Sequence, residues 1–182
     1  MITYIAILRG INVSGKRIIK MDALKKMLTE LNFENVRTYI QSGNTVFEAQ
    51  NTNAKQLETL LFAEIKKQFG FDVPVLVLDI DELKSIITKN PFINNKKIDS
   101  AHLHITFLNA EPVETIAAKI PVTDYLPDEF SLFGKAVYLH CPNGYGNTKL
   151  NNTFFENKLK VSATTRNWKT TCQLLQIAET SN

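Results

Sequence analysis

Three short segments carry the side chains best suited to holding an anion or an amide-bearing ligand. "RGIN" offers Arg9 and Asn12, with Lys16 a few residues on; "QSGN" offers Gln41, Ser42 and Asn44; "TTRNW" offers Thr164, Thr165, Arg166 and Asn167. Guanidinium and ammonium groups neutralise charge, while carboxamides and hydroxyls orient a ligand by hydrogen bonds. Thr164 or Thr165 is also an expected cap for a following helix, whose first turn would favour an anion beside Arg166. Set against this, Asn12 and Ser42-Gly43-Asn44 are ordinary turn residues, and threonines are ordinary caps. The expectation carried forward is one anion or nucleotide pocket formed by Arg9, Asn12, Lys16, Gln41, Ser42, Asn44, Thr165, Arg166 and Asn167.

The first segment also imitates a phosphate loop. Gly10, Gly15 and Lys16 fit G-x-x-x-x-G-K, but Arg17 stands where Ser or Thr would hold Mg²⁺. A guanidinium cannot ligate a metal, and Ile18, Ile19 and Lys20 intervene before any helical periodicity. "VPVLVLD" ends in Asp79 like a second nucleotide motif, yet it belongs to an antiparallel pattern rather than a parallel sheet. The segment therefore reads as a strand exit with turn residues and a basic edge.

Other chemistries find less support. His102 and His104 alternate on one strand and so share a side, and His140 lies on the strand expected beside it; the sequence leaves open whether the three imidazoles converge. No general base accompanies them at motif spacing, and no metal is assigned. Cys141 and Cys172 fall at apolar positions and read as packing thiols. No catalytic residue and no cofactor is implied. The loop "PNGYGN" is flexible in composition, suited to covering a pocket or to turning the chain.

Composition bounds the rest. The chain has 182 residues, 44% hydrophobic and 21% charged, and two cysteines without a C-x-x-C pair. It can bury a substantial core, it needs no disulfides, and a cytoplasmic location with no membrane partner is expected. "MITYIAIL" lacks a preceding basic stretch and a cleavage site, so it reads as a buried strand rather than a signal peptide. The net charge of +3 is too small to imply nucleic acid by itself. Its distribution is uneven: residues 9–26 hold six basic residues against Asp22 alone, and residues 147–169 hold five against Glu156 alone.

Periodicity supplies the scaffold. The opening strand reads as buried on both faces, hence central. Met21, Leu24, Met27, Leu28 and Leu31 make a helix face, and "VRTYIQSGNTVFEA" is a hairpin about Ser42-Gly43. Asn53 caps a second helix closed by Gly70, and "DVPVLVLD" is an edge strand because Pro74 cannot donate to a ladder. The order β-α-β-β-α-β is the ferredoxin-like pattern. A short helix at about 81–89 precedes "NPFINNKKIDS". The second half repeats the plan: a strand at 101–108, a helix in "EPVETIAAKI", and a hairpin about Gly134-Lys135. Helices at about 148–159 and 166–178 follow, the last with Trp168, Cys172 and Leu175 on its inner face. The fold expected is α+β: two ferredoxin-like (βαββαβ) halves packed together, residues 1–89 and 101–182, joined by a linker at 90–100, the second half with a short or missing last strand.

"LRGINVSGK", "VRTYIQSGNTVF", "NPF" and "ATTRNW", in this order along the chain, resemble a bacterial family designated Domain of Unknown Function 1697. The resemblance implies two ferredoxin-like halves and no established activity, cofactor or catalytic residue. Ser14 stands where the family pattern has Gly. Three function classes follow: binding of an anionic small molecule or nucleotide, which leads; nucleic-acid binding through the basic N-terminal half, disfavoured because the aromatic RNA-binding signature is missing; and a structural or partner-binding role using edge strands.

Overall fold

The computed structural model describes residues 1–180 and divides into two compact units, Met1–Ser85 together with the chain from Gln173 on, and Ile86–Cys172. The first unit contains β1 (Ile2–Leu8), α1 (Met21–Glu30), β2 (Glu34–Tyr39), β3 (Asn44–Ala49), α2 (Ala54–Phe69) and β4 (Val75–Asp79). After α3 (Ile80–Thr88), the second contains β5 (Leu103–Leu108), α4 (Glu114–Ala117), β6 (Glu129–Phe133), β7 (Ala136–His140), α5 (Asn152–Leu159) and β8 (Ala163–Asn167). A final helix, α6 (Trp168–Glu179), runs across the division between the units.

Each unit holds one four-stranded antiparallel sheet, ordered β2-β3-β1-β4 and β6-β7-β5-β8. β1 is an inner strand and β4 an edge strand, the positions expected from the doubly buried run and from Pro74. One face of the first sheet packs Tyr4, Ala6, Leu8 and Phe47 against Leu24, Met27 and Leu28 of α1 and Leu57, Leu61 and Ile65 of α2. Within that core the Phe33 and Phe47 rings stack with centroids 4.6 Å apart. The buried Tyr4 hydroxyl stays satisfied by donating to the Thr52 carbonyl at 2.8 Å and accepting from its N–H at 3.1 Å. In the second unit Val137, Leu139 and Phe130 pack against Phe155 and Leu159 of α5.

The two units repeat one hydrogen-bonding plan. At the end of β1, Leu8 N–H donates to the Gly43 carbonyl (3.0 Å) and Arg9 N–H to that of Pro74 (2.9 Å). At the end of β5, Leu108 N–H donates to Lys135 (2.9 Å) and Asn109 N–H to Ser162 (3.0 Å). What differs is the length of the connections. β1 reaches α1 through residues 9–20, while β5 reaches α4 through 109–113; β2 turns into β3 through 40–43, β6 into β7 through 134–135. Both longer loops of the first unit leave the same end of its sheet.

Several sequence expectations are corrected. The last strand of the second half is present, and at five residues equals β4. Thr164 and Thr165 pair with Phe107 and Thr106 inside that strand, so neither caps α6. The capping side chain is Asn167, whose Oδ1 accepts from Thr170 N–H at 2.7 Å. The buried stripe of α6 is Thr171, Leu174 and Ala178, with Trp168, Cys172 and Leu175 half-buried beside it. α5 starts at Asn152, because the Asn151 side chain accepts from Phe154 N–H and sets the cap there. α4 is one turn only: Thr115 and Ile116 are weak helix formers and Pro121 follows.

Candidate functional site

Residues 9–20 and 40–43 form one surface at the end of β1. The look-alike phosphate loop folds as a small hairpin: Asn12 N–H donates to the Arg17 carbonyl (3.2 Å) and Lys16 N–H to that of Val13 (3.0 Å). Its tip, Ser14-Gly15, has φ of +50° and +72°, the double positive-φ geometry of a two-residue hairpin turn. Ser14 thus occupies a conformation that glycine adopts freely, which accounts physically for glycine there in the family pattern. No helix begins at Lys16; α1 starts five residues later, at Met21.

Asn12 fixes this hairpin to its surroundings. Its Nδ2 donates to the Ile19 carbonyl (2.9 Å) and to the Gln41 carbonyl (2.7 Å), and its Oδ1 accepts from Ile19 N–H (2.9 Å). Ile11 and Ile19, each 1% exposed, anchor the two ends of the loop in the core. The second loop is equally constrained. The Asn44 carboxamide, fully buried, donates to the Tyr39 carbonyl (3.2 Å) and to Ser42 Oγ (2.8 Å). Gly43 sits at φ +75° so close to β1 that a Cβ there would lie 2.8 Å from Leu8 Cβ and 2.6 Å from Ile11 Cδ1. Asn12, Ser14, Arg17 and Ile40 all hold positive φ without being glycine. For a β-branched residue such as Ile40 this is a strained conformation, of the kind that concentrates at binding loops.

The structure thus brings together two of the three predicted segments. Arg9, Asn12, Lys16, Gln41 and Ser42 lie in the loop pair and Asn44 opens β3 directly after it; the Asn12 and Asn44 carboxamides act largely within the two loops, and Lys16 and Gln41 are exposed. Lys16, Arg17 and Lys20 are exposed and form no ion pair among the described residues. Arg17, part of the basic cluster but not among the residues expected to line the pocket, extends its guanidinium over Gly10, with Nη1 3.5 Å from where a Cβ would stand. Two clefts of the first unit lie elsewhere, about 490 Å³ beside Lys25, Asn35 and Arg37 and about 390 Å³ between Phe33, Gln56 and Leu60.

The third segment belongs to the second unit and has its own partners. Thr165 Oγ1 lies 2.6 Å from Thr106 Oγ1 and donates to Asn152 Oδ1 at 2.7 Å. Arg166 alternates to the other face of the sheet and donates from Nη1 to the Thr165 carbonyl at 2.9 Å. Burial pushes its guanidinium down to about 10. Asn167 is committed to capping α6.

Strand register separates His104 from His140. His140 pairs with Leu103, and His104 with Leu139, so the two imidazoles project from opposite faces, while His102 sits in a 3-10 turn before the strand. His140 Nδ1 meets Glu129 Oε1 at 2.9 Å, and the His104 ring stacks on Tyr145 with centroids 4.8 Å apart. Among the described residues no three His, Cys, Asp or Glu side chains are placed to hold a metal ion. Burial, with Asp128 adding to it, pushes the Cys141 thiol up to about 11, and burial raises Cys172 as well, which favours the thiol over the nucleophilic thiolate at neutral pH. No helix among the described residues is long and apolar enough to cross a membrane.

Fold and loops together define an α+β protein of two antiparallel four-stranded units, the first carrying an elaborated basic loop pair. The chain belongs to the family described as "Protein of unknown function (DUF1697)", whose model matches residues 1–138. Both loops lie within the matched residues, and the TTRNW segment lies beyond them. The chain is also similar to the solved structure of the conserved bacterial protein SP0830 from Streptococcus pneumoniae. The TM-score is 0.72 at 23% identity, covering 97% of this chain and 98% of that one. At that identity the likeness is one of fold. No curated protein matches the chain.

Proposed function

We propose that the protein binds a phosphate-bearing anion at the loop pair 9–20 and 40–43, on a unit built to the ferredoxin-like plan. The strand order β2-β3-β1-β4 with helices after β1 and β3 supports that plan, and the second sheet repeats it. The observation that carries the functional reading is the Asn12 bridge to Gln41, which makes one surface of two loops that the second unit has only in shortened form. A duplicated scaffold needs neither extension to fold. Neither loop contains an Asp or Glu in its own sequence, and three of the four basic residues of residues 9–20, Lys16, Arg17 and Lys20, are exposed. Lys16 and Arg17 meet the anion, and Gln41 contributes a carboxamide at its margin.

The test is thermal denaturation with pyrophosphate and with nucleoside triphosphates, for the natural protein and for Lys16→Ala/Arg17→Ala. A ligand at 100 times its Kd stabilises by about 2.7 kcal/mol, and the double variant loses most of that gain. Equal stabilisation of both proteins, or none of either, rejects the site. If RNA or DNA binds instead, with affinity falling steeply as salt rises, the anion recognised is a nucleic-acid backbone.

A further inference from the structure

The loop pair is apolar as well as basic. Val13, Ile18 and Ile40 are 58%, 55% and 50% exposed. Their backbones are tied to one point: Asn12 hydrogen-bonds to both Ile19 and Gln41, and Val13, Ile18 and Ile40 are the chain neighbours of Asn12, Ile19 and Gln41. A fold does not need them there. Ile11 and Ile19 of the same loop are buried and supply its anchorage, and Ile40 is held at φ +52°, a conformation that Asn or Gly would adopt at lower cost.

Resting on the anion reading above, we infer that the phosphates recognised are lipid headgroups, and that the loop pair docks on the surface of an anionic bilayer with Val13, Ile18 and Ile40 entering the headgroup layer. Three features favour a planar, amphiphilic partner. The hairpin tip is open to its surroundings: Ser14 and Gly15 are exposed, and a Cβ built at Gly15 meets no atom within 4 Å. The exposed apolar residues are aliphatic, suited to acyl chains, whereas nucleic-acid bases are held by aromatic faces. And Lys16, Arg17 and Lys20 flank them with no acidic residue in either loop, which complements a negatively charged surface. This departs from the expectation of no membrane partner drawn from the sequence; a docking surface needs no spanning segment.

Flotation with vesicles of phosphatidylcholine, alone and mixed with phosphatidylglycerol, tests the inference, with pyrophosphate stabilisation measured in parallel on every variant. The natural protein floats with the mixed vesicles only. Each cation near such a surface is worth about fivefold in partitioning, so Lys16→Glu/Arg17→Glu lowers binding by roughly 30-fold or more. Val13→Ser/Ile18→Ser lowers vesicle binding about tenfold while pyrophosphate stabilisation persists. Ile40→Asn lowers it too, yet leaves the fold at least as stable, because Asn tolerates positive φ. If pyrophosphate stabilises the protein but vesicles do not bind, or bind equally after the aliphatic substitutions, docking is overturned and the anion site stands. If vesicles bind independently of Lys16 and Arg17 and pyrophosphate has no effect, both readings fall.

Discussion

The Asn12 carboxamide donates at 2.7 Å to the carbonyl of Gln41, 29 residues away in the chain, and thereby joins the two loops that leave one end of the first sheet. The same side chain closes two further bonds with Ile19. Asn12→Ala removes all three and leaves Ile19 N–H and two carbonyls seeking water, at a cost of about 2 kcal/mol. Asn12→Gly relieves the positive φ yet loses the same bonds, so it remains destabilised, which separates hydrogen bonding from backbone strain. Urea denaturation midpoints for the three proteins measure this directly. A glycine variant as stable as the natural protein would assign the role of Asn12 to its backbone alone.

Gly43 is the point of closest approach between the loop pair and β1. Alanine there must hold φ +75° and push its Cβ against Leu8 Cβ and Ile11 Cδ1. Together these costs amount to about 3 kcal/mol. Ile11→Val removes the Cδ1 atom, so Gly43→Ala/Ile11→Val should lose less than the two single changes added together. Strict additivity in equilibrium unfolding would show that the contact with Ile11 contributes nothing to the cost.

How much of this was legible in the sequence depended on whether local signals decide. The inner position of β1 and the edge position of β4 follow from an uninterrupted apolar run and a proline, each a local cause. The hairpin was visible, but as a two-residue turn at Ser42-Gly43; the turn begins at Ile40, and a β-branched residue gives no sign of positive φ. Thr164 and Thr165 suit a strand and a cap alike, and only pairing with β5 chooses the strand. For the histidines the spacing was noticed but the register was not, and a one-residue difference in pairing puts His104 and His140 on opposite faces. In the site, the basic residues were readable from charge, whereas the Asn12–Gln41 bond is a long-range contact without a sequence signature. The unequal loops, residues 9–20 against 109–113, were the one unused signal: aligning the two halves would have exposed them.

Both edge strands beside the second helix of each unit are blocked by a glutamate. Glu58, 8% exposed, accepts from Val77 N–H of β4 at 3.1 Å, and Glu156 accepts from Ala163 N–H of β8 at 3.1 Å. Glu58 also pairs with Lys55 at 2.8 Å. Glu58→Ala leaves a buried donor unsatisfied, costing about 2 kcal/mol, and frees an edge N–H for pairing with another chain. Glu58→Gln keeps an acceptor and loses less. Light scattering during thermal unfolding distinguishes the two, with earlier and stronger aggregation expected for the alanine variant only.

His104 sets a pH dependence whose sign follows from its surroundings. Its imidazole is half-buried against Tyr145, and burial lowers its pKa below the ordinary value of 6.5. In the unfolded chain the ring takes up a proton as pH falls through about 6.5, while the folded protein resists until the lower value is reached. The unfolded state therefore binds more protons in that interval, and stability falls as pH drops through it; above it the contribution is complete. His104→Phe keeps the ring stack and removes the titration. Between pH 7.5 and pH 5.5 the natural protein should lose more stability than the variant, as read from urea midpoints at the two pH values, and parallel losses would assign the acid sensitivity to other groups.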